Sequence, residues 1–512
     1  APIILALLLN ELKSPRFAKW TQTITYIPHF ISTVVICGII VKLTSSTGGI
    51  TAILHTIFGI EKESLLNHSE NFLPIYVLSG IWQSIGWSSI IYLSALAGID
   101  QELYDAAKVD GAGRLKQVLY VTIPCLIPTI IIMLILKMGN IFDVGYEKVM
   151  LLYNPSIYNT ADVINTYVYR KGMIDAQYSY SAAVGLFNSV VSLFLVTVTN
   201  KISKKGRRNS MKTKQIVVRK TKMKTSLGSK IFDVCNAIFM CSLIIVILIP
   251  LLHVVSASFS DPSAYVRHEG LLLHPVDFCL DAYKAVAKNK NIITGYANTI
   301  FIVVVGTVLS ILMTLIAAYC LSRKNVMWNG VFTMAIVFSM YFSGGMIPFY
   351  LVVKGVGLNG SIWSFIIPSL ISTHNLIVMR TAMVTVPDSL EESAKLDGAN
   401  YWTILWKIMV PLVKPTIAVI CLYYAVSYWN SWFNAMLFIR DKTGYPLQLI
   451  LREILIQNDT SAMTAGIEAD EYLISETIQF ATIVVSTLPI LTIYPFVQKY
   501  FVKGVMIGAV KG

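Results

Sequence analysis

Charge is scarce in this sequence. Charged residues fill 13% of the 512 positions and hydrophobic residues 55%, whereas soluble domains carry roughly 25% charge; an ordinary soluble globule is excluded and a polytopic membrane protein is expected. No GxxxxGK[ST] phosphate loop occurs, so ATP hydrolysis is not expected of this chain itself. The seven cysteines form no CxxC and no metal spacing, and six of them (Cys37, Cys125, Cys235, Cys241, Cys320 and Cys421) lie in or beside apolar runs. Inert buried thiols are expected, with no metal site, and the histidines, His29 included, read as packing residues. Carboxylates are nearly missing from the apolar runs; Asp143 is the one placed beside a path, and at its edge. That shortage counts against an ion-coupled carrier, which would bind its ion with buried acids.

What the chain does have is length in apolar stretches. A crossing takes about 20 mostly apolar residues, and the candidates are 1–10 (incomplete), 23–43, 74–97, 124–143, 180–200, 232–256, 296–321, 329–352, 361–382, 411–437 and 477–498. The first residue falls inside an apolar run, so the chain reads as cut at its start. The net charge of +13 does not point to nucleic acid, because residues 201–230 alone carry twelve Lys/Arg and no Asp/Glu. Such a block is an inside anchor beside the membrane lipid. Placing it inside also places inside Lys13, Arg16, Lys19, Arg323, Lys324 and the tail with Lys499, Lys503 and Lys511, and leaves the sparsely basic loops 44–73 and 440–475 outside.

The chain also says one thing twice. From Leu103 it reads LYDAAKVDGAGRLKQVLYVTIPCLIPTI and from Leu390 LEESAKLDGANYWTILWKIMVPLVKPTI, an ungapped match at an offset of 287 with ten identities in 28 positions. Two parallel repeats follow: residues 1–203, a basic junction at 204–230 containing Met211, and residues 231–512, with a pathway expected between them. In the second copy, Ser389–Leu396 predicts a short helix with Glu391 and Glu392 near its positive end. Gly398 predicts a turn, Asp397 a cap for the next helix, and Pro411 the first turn of the next span. Two short helices meeting at a knuckle inside the cell fit a docking element better, once duplicated, than an amphipathic hairpin lying on lipid.

On these residues the chain resembles the permease subunits of binding-protein-dependent ABC importers, whose signature is EAA, two residues and DGA. YDAAKVDGA departs from it by Asp105 for Glu and EESAKLDGA by Ser393 for Ala. The resemblance implies two type I importer bundles, all-α, in a bacterial cytoplasmic membrane, and a coupling helix in each. That role would fall to Asp105, Ala106, Ala107, Asp110, Gly111 and Ala112 in one half, and to Glu392, Ser393, Ala394, Asp397, Gly398 and Ala399 in the other. It also implies a cytoplasmic ATPase dimer holding ATP and Mg, an extracytoplasmic solute-binding protein, and no cofactor on this chain. The stretches IYNTADVINTYVYRKGMIDAQYSYSAAVGLFNSVV and FATIVVSTLPILTIYPFVQKYFVKGVMIGAVKG are similar to the endings of the two maltose-type carbohydrate permeases, the first in the polysaccharide subgroup, so a carbohydrate substrate is expected.

Rings beside hydrogen-bonding groups suit a sugar, and such residues crowd at Tyr424, Tyr428, Trp429, Asn430 and Asn434. The offset pairs Asp143 with Asn430, and Asn140 lies in the same stretch. Lys137, an ionisable group within a span, points to an acidic sugar or to a snorkelling side chain. An interfacial aromatic belt is the plainer reading of any one ring.

Overall fold

A computed structural model describes residues 1–139, 141–142, 144–210, 227–323, 325–458 and 475–492. Every regular element named below is helical. In the first half these are α1 (Pro2–Asn10), α2 (Pro15–Phe30), α3 (Thr33–Leu43), α4 (Gly49–Phe58), α5 (Ser69–Ala97), α6 (Gln101–Val109), α7 (Arg114–Gly139), α8 (Tyr146–Leu152), α9 (Ile164–Tyr169) and α10 (Tyr178–Ile202). The second half has α11 (Gly228–Ser258), α12 (Asp281–Lys288), α13 (Lys290–Ser322), α14 (Asn329–Tyr341), α15 (Met346–Gly355), α16 (Thr373–Val384), α17 (Asp388–Leu396), α18 (Tyr401–Leu412), α19 (Lys414–Asn430), α20 (Phe433–Phe438), α21 (Leu447–Ile456) and α22 (475–492).

Helices α7, α10, α11 and α13 are long and apolar enough to cross a bilayer unbroken. The expected span 23–43 is not straight: α2 and α3 meet at 96°. Pro28 removes a backbone donor near the end of α2, and Ser32 starts a new helix by accepting from the Val35 amide at 3.2 Å. The span 329–352 bends by 116° between α14 and α15, at Gly344 and Gly345. Gly345 has φ +88°, and a β-carbon there would lie 3.4 Å from the Gly185 Cα of the first half. Expected spans 361–382 and 411–437 are also interrupted, the first by a 3₁₀ turn at Ile367–Ser369 and the second after Asn430.

The halves interlock at both ends. At the end carrying the repeated windows, α11 of the second half lies against the first: Met240 packs with Leu5 and Leu9, and the Asn236 amide donates to the Leu8 carbonyl at 2.9 Å. At the opposite end one apolar core joins Val34, Ile36, Ile39 and Ile40 to Trp432, Phe433, Leu451 and Leu455. There α21 packs on α3 so closely that a β-carbon on Gly38 would lie 3.1 Å from the Leu455 Cβ. The Lys42–Glu476 ion pair at 2.7 Å crosses the same seam.

Candidate functional site

Two features could do work: a pair of knuckles at one end and a polar cavity near the other. Both knuckles have one backbone design. Helix α6 ends at Asp110, and the amides of Gly111 and Ala112 donate to the carbonyls of Lys108 at 3.1 Å and Ala107 at 2.8 Å. Helix α17 ends at Asp397, and Gly398 and Ala399 donate to Lys395 at 3.0 Å and Ala394 at 2.9 Å. This is the Schellman closure, in which the glycine must take positive φ; Gly111 has +73° and Gly398 +78°. The Asp-Gly-Ala triplet is therefore a stop signal. Asp397 closes the helix before it, contrary to the expectation that it caps the next; Asn400 does that, accepting from the Thr403 amide at 2.8 Å.

The side chains differ where the backbones agree. Glu392, Asp397 and Gly398 are exposed, as are Asp110 and Gly111, while Asp105, Ala106, Ala107, Ala112, Ala394 and Ala399 are half-buried and Ser393 is exposed. Asp105 pairs with Lys108 at 3.1 Å. Glu391, outside the signature, is buried at 6% exposure and bonded to Arg323 from the end of α13 and to Lys395 at 2.8 Å. The Glu391 carboxylate holds the Lys395 ammonium above its ordinary pKa. Its first-half equivalent by the offset is Tyr104, whose hydroxyl reaches Thr122 at 3.0 Å. Arg114, just past the first knuckle, instead bonds Asp233 of α11, which Lys13 also meets at 2.5 Å.

The cavity, about 370 Å³, is lined by Thr33, Tyr76, Gly80, Gln83, Ser84 and the run Gly145–Lys148, and its size falls among small-molecule sites. Lys148 is 6% exposed; its Nζ donates to Ser79 Oγ at 2.7 Å and to the Tyr76 carbonyl at 3.4 Å, 5.2 Å from the Tyr76 ring centroid. A buried ammonium held by neutral oxygens stands beside an open space whose lining also carries the Glu147 carboxylate. Applying the offset to the lining gives Cys320, Trp363, Ile367, Leu370, Ile371, Trp432, Phe433, Asn434 and, for Lys148, Ala435; the lysine has no basic counterpart in the other half.

The residues picked from sequence do not gather here. Lys137 is exposed on α7 and does not line the cavity. Asn140 and Asp143 lie outside the described residues. Tyr424 and Tyr428 are buried inside the second bundle, their hydroxyls bonded to Thr314 at 2.8 Å and Ser310 at 3.0 Å. They are packing residues here, because α13 and α16 occupy the space a sugar would need. Trp429 meets Tyr296 edge to face at 6.2 Å, and Asn430 and Asn434 are half-buried. Lys148 was missed because a lysine in YEKVMLL looks like an ordinary solvated one; only tertiary packing buries it.

The sequence profile described as "Binding-protein-dependent transport system inner membrane component" matches residues 2–208 and again 310–507. The chain belongs to that family. It is thus a multi-pass inner-membrane transport component, and several matched relatives are named as permease proteins of transport systems. It is similar to Protein LplC of Bacillus subtilis, 39% identical over 290 residues that are 57% of this chain and 98% of that protein. It is also similar to the "Polygalacturonan/rhamnogalacturonan transport system permease protein YteP" of the same organism, 45% identical over 204 residues, 40% of this chain and 64% of that protein. Among solved structures, a chain of a bacterial ABC transporter "involved in the import of the acidic polysaccharide alginate" superposes with TM-score 0.53 at 36% identity, covering 55% of this chain and 100% of that one. A whole relative thus accounts for little more than half of this sequence, as the double profile match requires.

Proposed function

We propose that this chain is the membrane-spanning part of an ATP-driven importer of acidic oligosaccharides, with both permease units in one polypeptide at residues 1–203 and 231–512, joined through 204–230. The window end faces the cytoplasm, where an ATPase dimer carrying ATP and Mg seats on the knuckles at α6 and α17; the chain itself needs no cofactor. A solute-binding protein delivers the saccharide at the opposite end. Carbohydrate as the cargo is supported by the transport of polygalacturonan or rhamnogalacturonan for which YteP is named and by the alginate import of the similar transporter. The observation that carries the acidic reading is Lys148, a buried ammonium on a cavity also lined by Tyr76, Tyr146, Gln83, Ser84 and Glu147.

The test is uptake by the complete transporter in proteoliposomes, with oligogalacturonates and their carboxyl-reduced counterparts supplied through the binding protein. Lys148→Gln is expected to lower acidic uptake about tenfold, the equivalent of one lost charge-assisted hydrogen bond at 1.4 kcal/mol or more, and to leave the reduced sugar within about twofold. Equal uptake of both sugars by the wild-type transporter would end the acidic reading.

A further inference from the structure

The seam that closes the end opposite the knuckles buries polar groups it does not satisfy. Gln448 is 1% exposed and its Oε1 has no hydrogen-bond partner; Trp432 is fully buried and its Nε1–H has none; the Nε–H of Arg452 is also buried and unpaired. Gln448 and Arg452 stand four residues apart on α21 and so share a face. The Arg452 guanidinium lies 5.4 Å from the Trp432 ring centroid, covering the face of that ring. Its neighbour Glu453 is engaged elsewhere, by Lys442 at 3.3 Å, and among the described residues no carboxylate pairs with Arg452. Leaving such groups unmet is costly, and more so for a charged one. Three such groups side by side in one buried seam call for a partner that this closed arrangement does not supply.

Their position says which state. Tyr146, which lines the cavity, meets Phe433 edge to face at 5.1 Å; Phe433 meets Trp432 at 5.6 Å; Trp432 carries Arg452. An unbroken file of rings thus leads from the cavity of the first half into the seam with the second. We propose that Arg452, Trp432 and Gln448 form a second saccharide subsite, sealed in this structure and exposed when α3 and α21 part, in which Arg452 binds a carboxylate, Trp432 stacks on a sugar face and Gln448 bonds a hydroxyl. Arg452 swings from the indole to the acid, a planar fork meeting a planar carboxylate, and its departure bares the ring for the C–H face of the sugar. The proposal rests on the acidic reading above. Lys148 and Arg452 then hold successive uronates from opposite halves, so the subsite matters for chains longer than the cavity alone holds.

The experiment uses the complete transporter in proteoliposomes with oligogalacturonates of two to five units and their carboxyl-reduced forms. Arg452→Gln is expected to lower uptake of the longer acidic chains about tenfold, to change the reduced forms less than about twofold, and to be partly rescued in Arg452→Lys. Gln448→Leu guards against misfolding: removal of a side chain whose buried Oε1 is unpaired should leave thermal stability equal or higher, yet slow the longer chains. If Arg452→Gln slows acidic and reduced sugars alike, or slows neither, or if Gln448→Leu leaves long-chain uptake intact, the subsite is refuted. Loss of acid preference on Lys148→Gln without any on Arg452→Gln overturns the subsite and keeps the acidic reading; wild-type indifference to charge overturns both.

Discussion

Gly111 and Gly398 hold positive φ with no atom of another residue near the place a β-carbon would occupy, so their constraint is backbone conformation and not space. A side chain there costs roughly 1–2 kcal/mol. Gly398→Val is therefore expected to unwind the closure of α17 and reduce copurification of the ATP-binding subunit, while Gly398→Asn, which tolerates this conformation, retains more. Should valine bind the subunit as well as glycine does, the knuckle shape is not what the partner reads. Glu391 offers the complementary test at a buried charge. With Arg323 and Lys395 both on it, the carboxylate is satisfied; Arg323→Gln leaves it with the half-exposed Lys395 alone. A loss of about 3–5 kcal/mol is the usual cost of breaking such a pair, and thermal unfolding in detergent checks it. An unchanged midpoint would show that Lys395 suffices.

Among elements, the two windows agree beyond their identities. A π-helical turn occupies Val118–Thr122 in one and Leu405–Met409 in the other, 287 residues apart, although no residue matches across the five positions. The same proline pair then gives two outcomes. Past Pro124 and Pro128 the helix α7 counts as one span, whereas past Pro411 and beside Pro415 the chain breaks at Val413 and α18 stands at 86° to α19. The repeat and the knuckles were legible because they are written in local periodicity and in a glycine. The bends were half legible, since Pro28 and Gly345 mark where a helix can break without saying that it does. The cavity was not, because Lys148, Tyr76 and Thr33 come from three elements that only packing unites. Helix α11 shows what such packing adds: through Asp233 it grips Arg114 immediately behind the first knuckle, so motion imposed there reaches the second half directly. Asp233→Asn is expected to leave ATP hydrolysis running while uptake per ATP falls, and Arg114→Gln added to it to cause little further loss, as for two ends of one strut. Additive losses would mean the two residues act apart.

For the whole molecule, the offset supplies an axis. Tyr146 and Phe433 are equivalent positions in the two halves, and their rings touch at 5.1 Å; residues related by a twofold meet each other only close to it, so the pseudo-axis between parallel repeats passes beside this contact. The cavity, lined by Tyr146 and by Thr33 of α3, therefore lies near the line along which the halves separate. Parting the halves at the outer end must break the Tyr146–Phe433 contact before a saccharide passes. With the native cysteines replaced, a Tyr146→Cys, Phe433→Cys pair is expected to crosslink with a short bifunctional thiol reagent in the absence of ATP and to abolish uptake, and reaction of the same pair is expected to slow when the ATPase is held with ATP and binding protein attached. Transport that persists across the crosslink would place the saccharide path away from this axis and detach the cavity from the route.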